Sequence, residues 1–297
     1  MLCWRMAASS CNRLSRSMRV LMIVLAMLAA VACKPKVPLR PAADPRLARL
    51  LPSDPVAVAG VRMEELKRTP VYRDLLDPRM PRLAETLGFD LRQGVRELLV
   101  SWDEKGLLIV AGGHFEEPAG AAPEPPYHGH GLSRLSAGVF GRVNPDTAVI
   151  GPRGAVEAVI DRSGNRKAAA PPLLERAPAD SFQIWAVARG DGLLTIVPDA
   201  GNAKNFRQLL RGVDWLTLTG DMRSGIQAVL AAHCRSEAEA ARLADTSRGL
   251  LSLSRLAAPR NQPEWDRVFD SVRVTPQGLD VRAEAAMPAE AAKRLLQ

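Results

Sequence analysis

LLVSWDEKGLLIVAGGHF, residues 98–115, and LTLTGDMRSGIQAVLAAHC, residues 216–234, decide the fold. Each is a pair of apolar runs too short for a helix of ordinary length, rich in Leu, Val, Ile and Thr, and each is broken by a polar stretch ending in glycine. That is the pattern of a β-hairpin, and a short link joins strands antiparallel. The two stretches align with a single-residue gap, which sets Asp103 opposite Asp221, Gly106 opposite Gly225 and His114 opposite His233.

Working outward, residues 56–62 and 182–188 read as strands, each entered through a Pro-x-Asp stretch, Pro52-Ser53-Asp54 and Pro178-Ala179-Asp180. Two short helical stretches fall between 64 and 87, and a helix over 203–211 answers them in the second half. Residues 138–143 with 147–150 pair around Asn144-Pro145-Asp146, and 272–275 with 279–286 pair around Pro276-Gln277-Gly278. Helices are expected from Pro152, from Ser236 to about Leu256, and from Pro288. Ala240, Leu243, Leu250, Leu253 and Leu256 mark a core-facing stripe on the long one. The proline- and glycine-loaded residues 116–131 read as a loop. The fold class is therefore α+β: two similar halves, 49–162 and 173–297, joined by a linker at 163–172, each an antiparallel sheet with helices packed on one face.

Ahead of this, residues 1–32 carry Arg5, Arg13, Arg16 and Arg19, no acid, and an apolar run from Val20 that ends at Cys33 before Lys34-Pro35-Lys36. A charged leader with a short apolar run is a secretory signal, and the run is too short to span a bilayer as a helix. Met18 would start a more typical signal than Met1. The ending Leu28-Ala29-Ala30-Val31-Ala32-Cys33 resembles the lipobox of bacterial lipoproteins, with Ala30 where that family usually carries leucine. The resemblance implies cleavage between Ala32 and Cys33, acylation of Cys33, and residues 33–48 as a lipid-attached tether. It places the protein in the cell envelope, facing the periplasm, and Lys34 leans the destination toward the outer membrane. Residues 50–297 also resemble uncharacterised bacterial secreted proteins with a Leu-x-Pro-x-Asp entry and repeated strand, helix, hairpin units, here Leu50-Leu51-Pro52-Ser53-Asp54. That family implies no activity.

The chain has 297 residues, 47% hydrophobic and 24% charged, the composition of a folded protein with a real core. Removing residues 1–32 takes four of the 40 basic residues and no acid, so the net charge falls from +8 to +4. The bases are scattered, 33 Arg and 7 Lys, without the stripe that reads nucleic acid. Cleavage discards Cys3 and Cys11 and lipidation consumes Cys33, leaving Cys234 with nothing to pair.

Candidate chemistry is thin. His128-Gly129-His130 has no accompanying ligands, and a closed zinc site needs four. His114 and His233 close equivalent strands and are the low-ranking site candidates, facing each other if a pseudo-twofold axis relates the halves. His233 and Cys234 are adjacent on a strand and point to opposite faces, which denies them a dyad. Gly151-Pro152-Arg153-Gly154 lacks the lysine of a phosphate loop, and Asp103, Glu104 and Asp221 belong to turns. Trp102, Trp185, Trp215 and Trp265 are expected in the core.

The expected function is a non-catalytic, membrane-anchored envelope lipoprotein that binds or scaffolds another envelope protein, with no cofactor, metal or nucleic acid. The alternative is a small-molecule or lipid-binding module with an apolar pocket. A hydrolase would require a cleft gathering His114 or His233 with carboxylates.

Overall fold

Two short strands pair antiparallel at the centre of the molecule, β1 (Ala57–Val61) and β8 (Ile184–Arg189), with Gly60 opposite Trp185 and Ala57 opposite Ala188. In the computed structural model, which describes residues 41–296 apart from 88–89, 119–120, 179–181, 197–206, 208–209 and 258–262, the sheet grows outward from this pair on both sides. All the elements described belong to the unit Arg40–Gln297. Beside β1 lie β2 (Val95–Asp103), β3 (Gly106–Gly113), β7 (Thr147–Gly151), β6 (Gly138–Asn144), β5 (His130–Leu135) and β4 (Ala122–Tyr127). Beside β8 lie β9 (Val213–Asp221), β10 (Ile226–Cys234), β12 (Asp280–Met287) and β11 (Arg273–Gln277). Every neighbouring pair is antiparallel.

The protein is thus α+β around a large antiparallel sheet. The order β1-β2-β3-β7-β6 recurs as β8-β9-β10-β12-β11. The expected pair of sheets is one sheet of twelve strands, because the two entry strands satisfy each other's backbone groups instead of leaving two edges. The equivalent hairpins turn alike: Asp103 Oδ1 accepts from Lys105 N at 2.8 Å and Asp221 Oδ1 from Arg223 N at 2.9 Å. Gly106 and Gly225 close these turns at φ +117° and +138°, a region that side chains disfavour.

Helices cover both faces of the first half, against the expectation of one. α1 (Pro45–Ala48) and α4 (Arg153–Gly164) pack on Val58, Leu99, Val110 and Val149. α2 (Met63–Leu66), a π-helical turn at Tyr72–Leu76 and α3 (Met80–Leu87) pack on Leu98, Ile109, Phe140 and Ile150. The cause lies in β3, where Leu108 through Gly113 are buried without alternation, as in a strand sandwiched between two layers. In the second half α5 (Gly190–Ile196) follows β8, and α6 (Glu237–Ala257) sets Ala240 and Ala244 on Ala232 and Val281. Ser236 caps α6, its Oγ accepting from Glu239 N at 3.2 Å. α7 (Pro263–Ser271) and α8 (Ala289–Leu296) complete the chain, Ala292 of α8 packing on Val71 and Leu75 of the π turn.

Two segments read as irregular are structured. The tether expected over 33–48 ends earlier: Ala42, Ala43, Leu47 and Ala48 are buried in the core. Asp44 caps α1 through Arg46 N at 2.8 Å, with Pro45 in the first turn, so the prolines there start a helix. The expected loop 116–131 contains β4 and the start of β5, turning through His128 and Gly129 at φ +47° and +82°, a two-residue hairpin turn. Pro123, Pro125 and Pro126 sit on the outermost strand, where proline is tolerated, and the pairing with β5 is irregular between Glu124 and Tyr127. Glu124 ties this hairpin to α4, accepting from Arg134 at 2.6 Å and Arg153 at 3.0 Å. The expected linker 163–172 overlaps the end of α4 at Gly164 and leads into a 3-10 turn, Pro172–Arg176, whose Leu173 and Leu174 rest on the core. The signal and Cys33 lie outside the described residues, as does most of the expected helix 203–211.

Candidate interaction surface

Antiparallel registry lines the side chains of successive strands into rows across the sheet. On the face that carries α2 and α6, one row runs Leu107, Trp102, Ala57, Ala188, Leu216. The next runs Ile109, Val100, Ala59, Ala186, Leu218, Leu230. The flanks of this face are covered: Ile109 by the cluster of α2 and α3, Leu216 by that of α6. Between them Trp102, Leu107, Leu218 and Leu230 stay 38–43% exposed, and among the described residues none joins a core cluster. Ala57, Ala59, Ala186 and Ala188 form a low floor between the taller Trp102 and Leu218. A sheet face open to water ordinarily carries polar side chains, and this apolar strip departs from that pattern.

The opposite face of the second half follows the ordinary rule. The helix after β7, α4, covers this face in the first half, whereas the helix after β12, α8, packs on the π turn instead. β9 and β12 turn Thr217, Thr219, Arg282 and Glu284 to this face, with Ala231 and Val229 of β10 in register between them. At one end Trp215 stacks on His233 with centroids 3.7 Å apart, Arg176 lies 4.4 Å from the Trp215 ring centroid, and Asp280 Oδ1 meets His233 Nδ1 at 2.7 Å.

The structure separates the two histidine candidates. His114 leaves the end of β3 and His233 closes β10, five strands along, at the opposite end of the sheet. Two halves related about an axis through the sheet run their equivalent strands in opposite directions, so equivalent ends point apart. His114 lies at an open cleft of about 730 Å³ with Glu85, Asp90, Glu116 and Glu117. This is the gathering of a histidine with carboxylates that the hydrolase reading requires; Asp90 is held by Arg92, Oδ2 to Nη2 at 2.7 Å, and no Ser, Thr or Cys is among the described residues that line the cleft. His128 leans toward Asp161 at 3.7 Å while His130 meets the Arg142 carbonyl at 3.1 Å, so the two rings diverge. Among the described residues no three His, Cys, Asp or Glu side chains converge as metal ligands.

Three carboxylates are shifted by neighbouring arginines. Hydrogen bonds from Arg92 and Arg223 hold Asp90 and Asp221 below the usual carboxylate range, and Arg134 does so for Glu124. Burial pushes the Cys234 thiol up, and the residue is free and buried. Among the described residues no helix is long and apolar enough to cross a membrane.

No family model and no curated protein matches this chain. Its fold has precedent. The structure of TP0453 in crystal form I superposes with a TM-score of 0.50 at 13% identity, covering 86% of this chain and 97% of that one. Crystal form III of TP0453 gives 0.48 at 13% identity over 86% and 98% of the two chains. At such identity the likeness is one of fold alone.

The open strip was not legible as a site. Trp102 sits in a strand and was expected in the core, and Leu250, Leu253 and Leu256, expected to pack on the sheet, are 47, 62 and 83% exposed. A cue existed in the sequence: alanine recurs at alternate positions of the two central strands, 57 and 59, then 186 and 188, leaving a floor with little to bury.

Proposed function

We propose that this chain is a lipid-anchored, non-catalytic envelope protein whose uncovered sheet face receives another protein. The observation that carries the reading is the aliphatic strip bounded by Trp102, Leu107, Leu218 and Leu230 on a face otherwise covered by helices. The lipobox-like end at Cys33 supports the anchor. The same aliphatic lining favours a second reading, an apolar small molecule or acyl chain in the groove. The cavities at Thr69, His114 and Arg96 open to solvent beside charged side chains.

The test has two arms. Intact mass and membrane fractionation of the native protein beside Cys33→Ala should give an acylated chain beginning at Cys33 in membranes, and a released chain in the variant. A photoreactive residue at 107 or 218 should give protein adducts in intact cells, while one at Arg282 on the polar face should not. Acyl adducts at 107 and 218 would move the conclusion to the second reading.

A further inference from the structure

A buried side-chain amide presents an unused donor to an open cavity where the two halves meet. Gln183, just ahead of β8, is 2% exposed. Its backbone carbonyl accepts from Arg62 N at 2.8 Å, and its side-chain Oε1 accepts from Met222 N at 2.7 Å in the turn between β9 and β10. A backbone N–H only donates, so the bond from Met222 fixes which end of the amide is oxygen and turns Nε2 the other way. That nitrogen has two hydrogens to give and no hydrogen-bond partner among the described residues. Buried donors are ordinarily satisfied, which marks this one out.

Gln183 lines a cavity of about 250 Å³ with Glu65, Arg68, Thr69, Pro70 and Arg223. Two of these are committed elsewhere. Thr69 Oγ1 donates to Leu66 O at 2.8 Å and accepts from Tyr72 N at 3.1 Å. Arg223 is held by Asp221, Nε to Oδ2 at 2.9 Å. Arg68 is held loosely: its ion pair with Glu64 spans 3.4 Å, with the two side chains 75% and 60% exposed. A pair so open to water is worth little, and exchanging it for another acceptor costs little.

We propose that this cavity binds a carboxylate, one oxygen accepting from Gln183 Nε2 and the other from the Arg68 guanidinium. The wall disfavours other classes of ligand. A cation would meet the amide hydrogens and two arginines, and an apolar group would leave the amide unpaired. Glu65, the one acid on the wall, opposes a second negative charge and so selects a carboxylate over a phosphate dianion. The volume is below that of pockets for drug-sized ligands, so the occupant is a small organic acid or the last residue of a peptide chain. None of Trp102, Leu107, Leu218 and Leu230 lines this cavity, and the inference stands independently of the strip.

The test uses the full chain in detergent micelles with its glutamine side chains labelled with the heavy nitrogen isotope for NMR. Of the seven glutamines, the side-chain resonance lost in Gln183→Glu is that of residue 183. Acetate and N-acetylglycine should each shift this resonance saturably in the millimolar range, and N-acetylglycinamide should not. Tighter binding of N-acetylglycine than of acetate would identify a peptide end as the source of the carboxylate, and equal binding a small organic acid. Arg68→Met, at a side chain already 75% exposed and harmless to folding, should weaken binding about fivefold. Gln183→Glu keeps an oxygen for Met222 N and replaces the donor with a charge, so calorimetry should detect no binding of N-acetylglycine to it. A Gln183 resonance that neither acid moves would overturn the proposal, as would an equal shift with the amide. Inorganic phosphate binding as tightly as acetate would overturn the selection of a carboxylate.

Discussion

The Trp185 indole lies flat across Gly60, its partner in the central strand pair: a Cβ built on Gly60 would stand 2.2 Å from Trp185 Cε2 and 2.3 Å from Nε1. Trp185 is fully buried, and its neighbours Val58, Leu99 and Val187 leave it nowhere to move. Gly60→Ala should therefore destabilise the fold by about 3 kcal/mol, read as a drop in the urea midpoint. In a Trp185→Leu background the same change should cost much less, because the overlap is with the ring. Equal costs in both backgrounds would assign the loss to the β1 backbone instead.

Arg62 is almost fully buried, and its Nη2 donates to the carbonyls of Pro41 at 2.9 Å and Ala42 at 3.4 Å. Together with the bond from Asp44 N to Glu97 Oε1 at 3.1 Å, it fixes where the chain joins the fold. Arg62→Met keeps most of the volume and removes the donors. The expected loss is about 1–3 kcal/mol, with faster hydrogen exchange confined to residues 41–48 and their neighbours. Uniform exchange across the whole sheet would count against a local pin.

These two cases show what the sequence could and could not disclose. The hairpins at Asp103 and Asp221 were legible because their turns need a carboxylate that accepts from the backbone two residues on and a glycine at positive φ, and both signals are local. Residues 41–48 and 122–127 were not, because proline reads as irregular whether it starts a helix behind Asp44 or lines a sheet edge in β4. The merging of the halves depends on β1 meeting β8, more than a hundred residues apart, which no short pattern records. Exposure of Trp102 and Leu218 was hidden for the same reason: an apolar residue in a strand looks the same whether or not a helix covers it.

Both outer strands carry proline: Pro123, Pro125 and Pro126 in β4, and Pro276 in β11. Proline has no backbone donor, so these strands template another chain less well than an all-donor edge would. Pro125→Val with Pro126→Val should leave the monomer fold intact and increase light scattering on incubation. The increase should exceed that of Leu253→Glu, which acts on α6 and not on an edge. Unchanged scattering would mean that the Arg134 and Arg153 contacts of Glu124, rather than the prolines, keep this edge closed.

Acid sensitivity should come from the paired turn carboxylates. Asp221 is held below its ordinary value chiefly by the Arg223 hydrogen bonds, and Asp90 likewise by Arg92. A carboxyl whose folded value lies below its unfolded value of about 3.9 favours the folded state fully above that pH and loses the contribution as pH falls through the folded value. Urea midpoints measured from about pH 7 down to pH 3 should therefore decline most steeply below about pH 4. Asp221→Asn should lower the midpoint near neutrality, and the gap between the two proteins should close toward the acid end. The Asp221 side chain is about 20% exposed but its partner Arg223 is 60% exposed, so solvent screening of the pair keeps this gap small and raised salt should shrink it further. A gap that stayed constant across the range would place the cost of the variant in the turn geometry, where Asn still accepts from Arg223 N, and not in the charge.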